Sequence, residues 1–249
     1  MYLMLGTRPD IAYAVGRFAC FAHDPSKDRF KAVGCIFAYI NTTKDFAIEY
    51  IKSVDTDIDP YGTSDADYGG ELATAHRRKS TSDYAFSLAS GLFSWSSKLQ
   101  ENIATSTMEA EYLALYKAGK HAVWIQNIYE GIGFPLQNPL YVWCNNQAAI
   151  AVAKKEGTHE AQKHIDIKFH YTQELVETQK IKVNYIASKH NESDILTKAL
   201  TGKKFASALD LLGLVNSRDF IDSFSSTDSS PLDTLQESSS VLVYVDAHE

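Results

Sequence analysis

One uninterrupted helix-forming stretch, Ser106 to Gly131, constrains the fold of this chain more than any other feature: STMEAEYLALYKAGKHAVWIQNIYEG. Ser106 with Glu109 three residues later makes a capping box, in which each side chain satisfies a backbone N–H that the first turn leaves free. At roughly 1.5 Å per residue the segment is long enough to cross a domain. Met108, Leu115, Ala118, Ala122 and Ile125 recur at helical spacing and form one apolar stripe. Glu111 interrupts that stripe. A buried carboxylate is costly unless it is paired or binds metal. Two readings therefore stay open: a Lys or Arg partner, or a place in a shared carboxylate site. Glu109 needs no such role, because capping accounts for it.

With 249 residues and 45% apolar content, the chain supports one ordinary domain plus smaller pieces. No run of about 18 apolar residues occurs, so no membrane span is expected. No basic segment followed by a short apolar run opens the chain, so no signal peptide is expected. The three cysteines, Cys20, Cys35 and Cys144, have no metal-ligand spacing and suit a reducing, intracellular compartment, cytoplasmic or nuclear. The net charge of −7 is concentrated at one end: from Asn216 onward there are seven acidic residues and one Arg, a net of −6, which leaves −1 for the rest. Basic clusters occur at His76-Arg77-Arg78-Lys79, Lys154-Lys155 and Lys203-Lys204. They read as solvated surface, with a groove for nucleic acid as the alternative.

Residues 1 to about 45 read as a helical pair. Thr7 and Pro9 open the first helix, and Ser26 caps the second, whose apolar face is Phe30, Val33, Phe37 and Ile40. A strand at Phe46–Ile51 and a linker at Asp55–Pro60 follow. Tyr61–Asp67 reads as a strand carrying Asp65 and Asp67 on one face. Asp is disfavoured in strands, so the pair asks for a reason, unless a turn begins early. Residues 71–80 read as a polar, basic loop. Ser82–Leu88 and Leu92–Ser97 form a hairpin. Leu140–Cys144 (LYVWC) is the continuous apolar run of a central parallel strand. Asn145 or Asn146 caps the helix Gln147–Lys155. A helix at Ile165–Thr178, a strand at Ile181–Ile186, a helix after Asn191 and a helix at Lys203–Leu212 complete the domain. In the third of these Asp194 lies in capping-box position. Residues 215–240, rich in Ser and Asp, read as disordered. Val241–Val245 reads as a sheet-edge strand or a sticky tail.

The order from Tyr61 onward gives a three-stranded meander extended by two parallel strands behind crossover helices. Asp65, Glu111 and Asp194 then fall on three different elements. Together they suggest a carboxylate cluster for a hard divalent cation such as Mg²⁺. Two such ions about 3.5–4 Å apart drive in-line phosphodiester hydrolysis.

These residues carry a resemblance to the C-terminal part of copia-type retrotransposon polyproteins. The matching segments are YLMLGTRPDIAYAV at 2–15, SDADYGG at 64–70, RKSTSDYAF at 78–86, FSWSSKLQ at 93–100, STMEAEYLAL at 106–115, WCNNQAAI at 143–150, KHIDIKFH at 163–170 and SDILTKAL at 193–200. The first 50 or so residues resemble the end of the family's reverse transcriptase, and the part from about 61 resembles its ribonuclease H domain. The resemblance implies an α/β fold: a ribonuclease H-like mixed five-stranded sheet with flanking helices, preceded by a two-helix segment. It implies residues 1–55 as a reverse-transcriptase remnant and 61–213 as the ribonuclease H-like domain. The acidic tail at 215–249 lies outside the family pattern. The polymerase palm is not in the sequence, so polymerisation by this chain alone is not expected and a reverse transcriptase would be supplied elsewhere.

The implied activity is Mg²⁺-dependent hydrolysis, with Mn²⁺ as the substitute ion, of the RNA strand of an RNA–DNA hybrid. Asp65, Glu111 and Asp194 match three of the family's four metal-holding carboxylates. The fourth, an aspartate at the end of the fourth strand, is Asn145 here. Asn offers one neutral carbonyl oxygen where Asp offers two charged ones. Loss of one such group costs about 10²–10³ in rate, so weakened or absent activity is expected. Asn146 points the other way along a strand and is a poor substitute. His190 corresponds loosely to a histidine of related enzymes, at short spacing from Asp194. Asp83 stands where the family usually has Gly. The alternatives to an enzyme are a non-catalytic module that holds hybrid or other nucleic acid through its phosphates, and a degenerate transposon remnant.

Overall fold

The structure is a computed structural model, and it describes residues 1–51, 59–70, 78–154, 163–218 and 240–243, with side chains omitted at 163–166 and 240–243. The chain forms two compact units. One comprises Met1–Ile58, Leu88–Phe93 and Leu200–Glu249; the other comprises Asp59–Ser87 and Ser94–Ala199. Residues 200–213, expected with the larger domain, fall in the first unit. The physical reason is strand pairing: Leu214–Asn216 pairs with Phe46–Ile51, and the preceding helix packs on Leu214–Asn216.

The first unit opens with the helices α1 (Tyr2–Gly6), α2 (Ala12–Ala19) and α3 (Lys27–Thr42), with a 3₁₀ turn at Pro9–Ile11. Ser26 caps α3 as expected, its hydroxyl accepting from the N–H of Arg29 at 3.3 Å. The strand β1 (Phe46–Ile51) also lies where expected.

The second unit contains β2 (Tyr61–Asp67), most of β3 (Thr81–Leu88) and β4 (Gly91–Leu99), α4 (Thr107–Gly131), β5 (Leu140–Cys144), α5 (Gln147–Ala153), α6 (Lys163–Glu177), β6 (Ile181–Tyr185) and the short α7 (Asp194–Thr197). Its sheet has the order β4-β3-β2-β5-β6. β2 pairs antiparallel with β3 and parallel with β5, and β5 pairs parallel with β6. This is the five-stranded mixed sheet that the resemblance leads one to expect. Its core includes Phe86, Tyr112, Leu115, Val142 and Val183, all fully buried. Gly62 lies opposite Phe86 in register, and a Cβ there would stand 2.5 Å from the Phe86 ring. The missing side chain lets the ring lie across the sheet.

The chain returns to the first unit with α8 (Gly202–Leu211) and β7 (Leu214–Asn216), and a strand β8 at Ser240–Val243 follows. β1 is central in a three-stranded antiparallel sheet between β7 and β8. Ser240–Val243 thus takes the sheet-edge reading, one residue earlier than expected. The expected loop at 71–77, the linker at 52–58 and most of the expected tail lie outside the described residues. No helix among the described residues is long and apolar enough to cross a membrane.

The helix α4 begins as its sequence dictates. Ser106 accepts from the N–H of Glu109 at 3.1 Å. The Glu109 carboxylate reaches one residue further back than a capping box requires, accepting from the N–H and hydroxyl of Thr105 at 2.7 and 2.6 Å. Residues Glu109 to Leu115 are all buried, so the start of α4 is enclosed on most sides rather than along one stripe.

Candidate functional site

Asp65 sits on β2 with 2% of its surface exposed. Asn145 follows the last residue of β5 and donates from Nδ2 to Asp65 Oδ1 at 2.7 Å. Thr197, the last residue of α7, donates its hydroxyl to Asp65 Oδ2 at 2.6 Å. Burial pushes the Asp65 carboxyl above its usual range, and these two donors and Lys198 oppose the shift. Glu111 is 8% exposed, and its Oε2 has no hydrogen-bond partner. Its carboxyl is pushed up to about 8, chiefly by burial and then by the negative charge of Asp65. Of the two readings for Glu111, a direct Lys or Arg partner is therefore not what the structure displays.

Asp194 opens α7 and forms an ion pair with Lys198 four residues on, Nζ to Oδ1 at 2.5 Å. The expected capping box at Asn191 does not form. Asn191 is instead buried between elements, donating to the Ser64 carbonyl at 3.1 Å and accepting from the N–H of Ser193 at 3.1 Å. That leaves the Asp194 side chain free of a capping role. His190 is exposed in the 3₁₀ turn Ser188–His190, and no hydrogen bond ties it to the carboxylates. Asn146, not Asn145, caps α5, accepting from the N–H of Ala149 at 3.0 Å. Asn145 is thereby free to face Asp65.

Two residues near these carboxylates have features that sequence reasoning passed over. Asp83 on β3 is the cross-strand partner of Asp65, fully buried, with no well-formed hydrogen bond to either carboxylate oxygen. Burial holds its carboxyl well above the usual range, and the charges of Asp65, Glu111 and Asp194 add to the shift. Lys198 is the nearby positive charge, attracted to Asp65, Asp194 and Asp67. A basic residue four positions after Asp194 was a legible signal for it.

The donor chemistry fits a hard divalent cation, which takes carboxylate oxygens. Glu111 and Asp83 also offer buried acceptors without a well-formed hydrogen bond. Among the described residues, no three carboxylate, histidine or cysteine groups converge closely enough to hold an ion as they stand. In this arrangement Lys198 and the Asn145 amide supply the positive end of the interactions with Asp194 and Asp65.

A separate cleft in the same unit is lined by Lys98, Lys117, Lys120 and Lys168 with Tyr84, Tyr116, His121 and Trp124. The His121 ring stacks between Tyr84 and Trp124, with centroids 4.5 and 4.8 Å away. The lysines come from β4, α4 and α6, so no cluster in the sequence announces them. None belongs to the basic clusters at 76–79, 154–155 and 203–204.

Comparison with known proteins finds relatives of this chain. No protein-family model matches it. It is 37% identical over 216 residues to the retrovirus-related Pol polyprotein from transposon TNT 1-94 of Nicotiana tabacum, covering 86% of this chain and 16% of that one. It is 30% identical over 208 residues to the corresponding polyprotein from transposon RE1 of Arabidopsis thaliana, covering 84% of this chain and 14% of that one. A secreted RxLR effector protein 161 of Plasmopara viticola is 40% identical over 125 residues, half of this chain and 84% of that one. Among solved structures, the N-terminal ribonuclease H domain of a Mycobacterium tuberculosis protein superposes with a TM-score of 0.37 at 14% identity, covering 60% of this chain and 96% of that one. The chain therefore spans about a sixth of the tobacco polyprotein's length, and its homologues include retrovirus-related Pol polyproteins of plant transposons.

Proposed function

We propose that residues 59–199 are a ribonuclease H-type nuclease domain directed at the RNA strand of RNA–DNA hybrids and weakened or silenced by Asn145. Asp65, Glu111 and Asp194 are the residues that would hold divalent metal, Mg²⁺ or Mn²⁺. A metal bound there would supply Lewis acidity to activate water and to neutralise the leaving oxygen. The chain's own part is to hold Asp65 by Thr197, to keep Glu111 in a low-dielectric setting, and to offset charge with Lys198. His190, exposed and untied, is at most an accessory to proton movement.

One observation carries the weakened reading. The Asn145 amide donates to Asp65 at 2.7 Å, where a carboxylate would face Asp65 with like charge and call for a cation between them. The amide satisfies Asp65 without metal. The experiment is cleavage of a labelled hybrid in Mg²⁺ and in Mn²⁺, run beside Asn145→Asp and Asp65→Asn. Cleavage by Asn145→Asp but not by the unmodified chain is the expected result. Cleavage by the unmodified chain that survives Asp65→Asn would overturn the site assignment. No cleavage by any folded variant would remove the nuclease reading and leave a degenerate remnant.

A second reading, a module that binds nucleic acid without cutting it, is favoured by the lysine and aromatic cleft. Lysines neutralise phosphates, and exposed aromatic faces such as Trp124 stack on bases. Hybrid affinity that falls steeply with salt and is lost in Lys120→Glu/Lys168→Glu, without any cleavage, would support it. An intracellular setting and a reverse transcriptase supplied elsewhere complete the proposal.

A further inference from the structure

We propose that Asp83 is a fourth carboxylate ligand for a divalent cation in this site, taking the part that Asn145 cannot. The inference rests on the metal-dependent reading above. It starts from a residue the fold has no other use for. Asp83 lies within β3, where Asp is disfavoured, and it has no accessible surface. Neither oxygen has a well-formed hydrogen bond, and the backbone N–H of Asp65 is the one donor that acts on the carboxylate. An isolated buried carboxylate is costly unless a cation or a proton neutralises it. Gly, Ser or Ala would fill the position at less cost.

The register says where the side chain goes. Asp83 stands directly opposite Asp65 across the β2–β3 pair. Directly opposed residues share a sheet face, with Cβ atoms about 4.5–5.5 Å apart. Asp83 therefore projects beside the carboxylate that Asn145 and Thr197 hold. The charges that act on it are those of Asp65, Glu111 and Asp194, in that order. Two acidic side chains on adjacent strands, one with neither oxygen in a well-formed hydrogen bond, provide hard oxygen donors of the kind Mg²⁺ and Mn²⁺ take.

The test is Mn²⁺ binding to the full chain, followed by electron paramagnetic resonance of the free ion, together with the rise in Tm on adding Mg²⁺. The unmodified chain is compared with Asp83→Asn, Asp83→Ala and Asn145→Asp. The expected result is saturable Mn²⁺ binding that weakens at least tenfold in both Asp83 variants. Their metal-free Tm should hold or rise, because a buried charge has been removed, while the Mg²⁺-induced rise disappears. Two Asp83 variants guard against one that fails to fold. Unchanged Mn²⁺ affinity in a folded Asp83 variant would overturn the proposal and leave the metal-dependent reading intact. Binding by Asn145→Asp alone would overturn it too, because Asp83 would then not compensate for residue 145. No binding by the unmodified chain or by Asn145→Asp would overturn the metal-dependent reading, and the proposal with it.

Discussion

Asn145 does two opposite things through one amide. It removes a charged ligand, and it supplies a donor that satisfies Asp65 at 2.7 Å. Asn145→Asp should therefore cost stability before it restores anything. Losing a hydrogen bond to a charged group and facing two carboxylates should destabilise the metal-free protein by about 1–3 kcal/mol. Millimolar Mg²⁺ should recover it. Thermal melts with and without Mg²⁺ check this, and a metal-free Tm equal to that of the unmodified protein would refute it. His121 makes a second residue-scale prediction. Burial holds its imidazole down to about 4, and its ring nitrogens contact the hydroxyls of Ser94 at 2.7 Å and Tyr84 at 3.3 Å. Its folded pKa lies below its unfolded value, so its contribution is full above about pH 6.5 and is lost as pH falls through 4. For a half-buried ring that loss is of order 1–2 kcal/mol. His121→Gln should flatten the fall in Tm between pH 7 and 4 relative to the unmodified protein. Parallel pH profiles would show that His121 is not the group responsible.

At the level of elements, the sequence was most legible where local rules decide. Both Ser caps and the limits of α4 follow from side chains within a turn of each other. Glu111 stood out because a charge on an apolar stripe is a local contradiction, and Asp65 because Asp is rare in a strand. What stayed hidden is tertiary. Thr197 donating to Asp65 joins residues 132 apart in the chain. Asp83 looked like a backbone exception until register set it beside Asp65. The element boundaries at 200–213 were assigned by proximity in sequence, but strand pairing with β1 decided them. The N-terminal segment, three helices and a 3₁₀ turn where a pair was expected, with Thr7 closing α1 rather than opening a helix, hid a network of the same kind. Arg8 makes a bidentate pair with Asp10 at 3.0 and 2.7 Å, and donates to the Thr43 carbonyl at 2.9 Å and hydroxyl at 2.7 Å. Tyr39 donates to the same Asp10 carboxylate at 2.6 Å. The guanidinium thus ties the 3₁₀ turn to the carbonyl end of α3, where a cation is favoured. Arg8→Ala leaves Asp10 buried and short of its cation, and should cost about 3–5 kcal/mol. Arg8→Lys should recover little, because a point charge cannot repeat the planar fork. Urea titration of both variants checks this; a Lys variant as stable as the unmodified protein would show that charge alone matters.

On the scale of the whole molecule, charge and apolar surface are unevenly spread. Six units of the net −7 lie from Asn216 onward, so the body of the chain is nearly neutral and any affinity for nucleic acid has to come from local lysines rather than from overall charge. The helix α3 is one place where apolar surface is exposed. No residue of α3 is fully buried, and Phe30 and Phe37 are 76% and 68% exposed. They are seven residues apart with Val33 between, so they stand on one face of the helix. Burying two such rings against a second molecule contributes about 3–6 kcal/mol before the cost of association. That is enough for weak self-association and too little for a tight dimer. Sedimentation velocity should show a concentration-dependent rise in mass only toward about millimolar concentration, the range set by that energy. Phe30→Ser/Phe37→Ser should weaken it at least tenfold while leaving the melt unchanged, since neither ring is packed inside. A chain that stays monomeric at high concentration, or a double variant that associates as strongly, would mean that this face does not drive assembly.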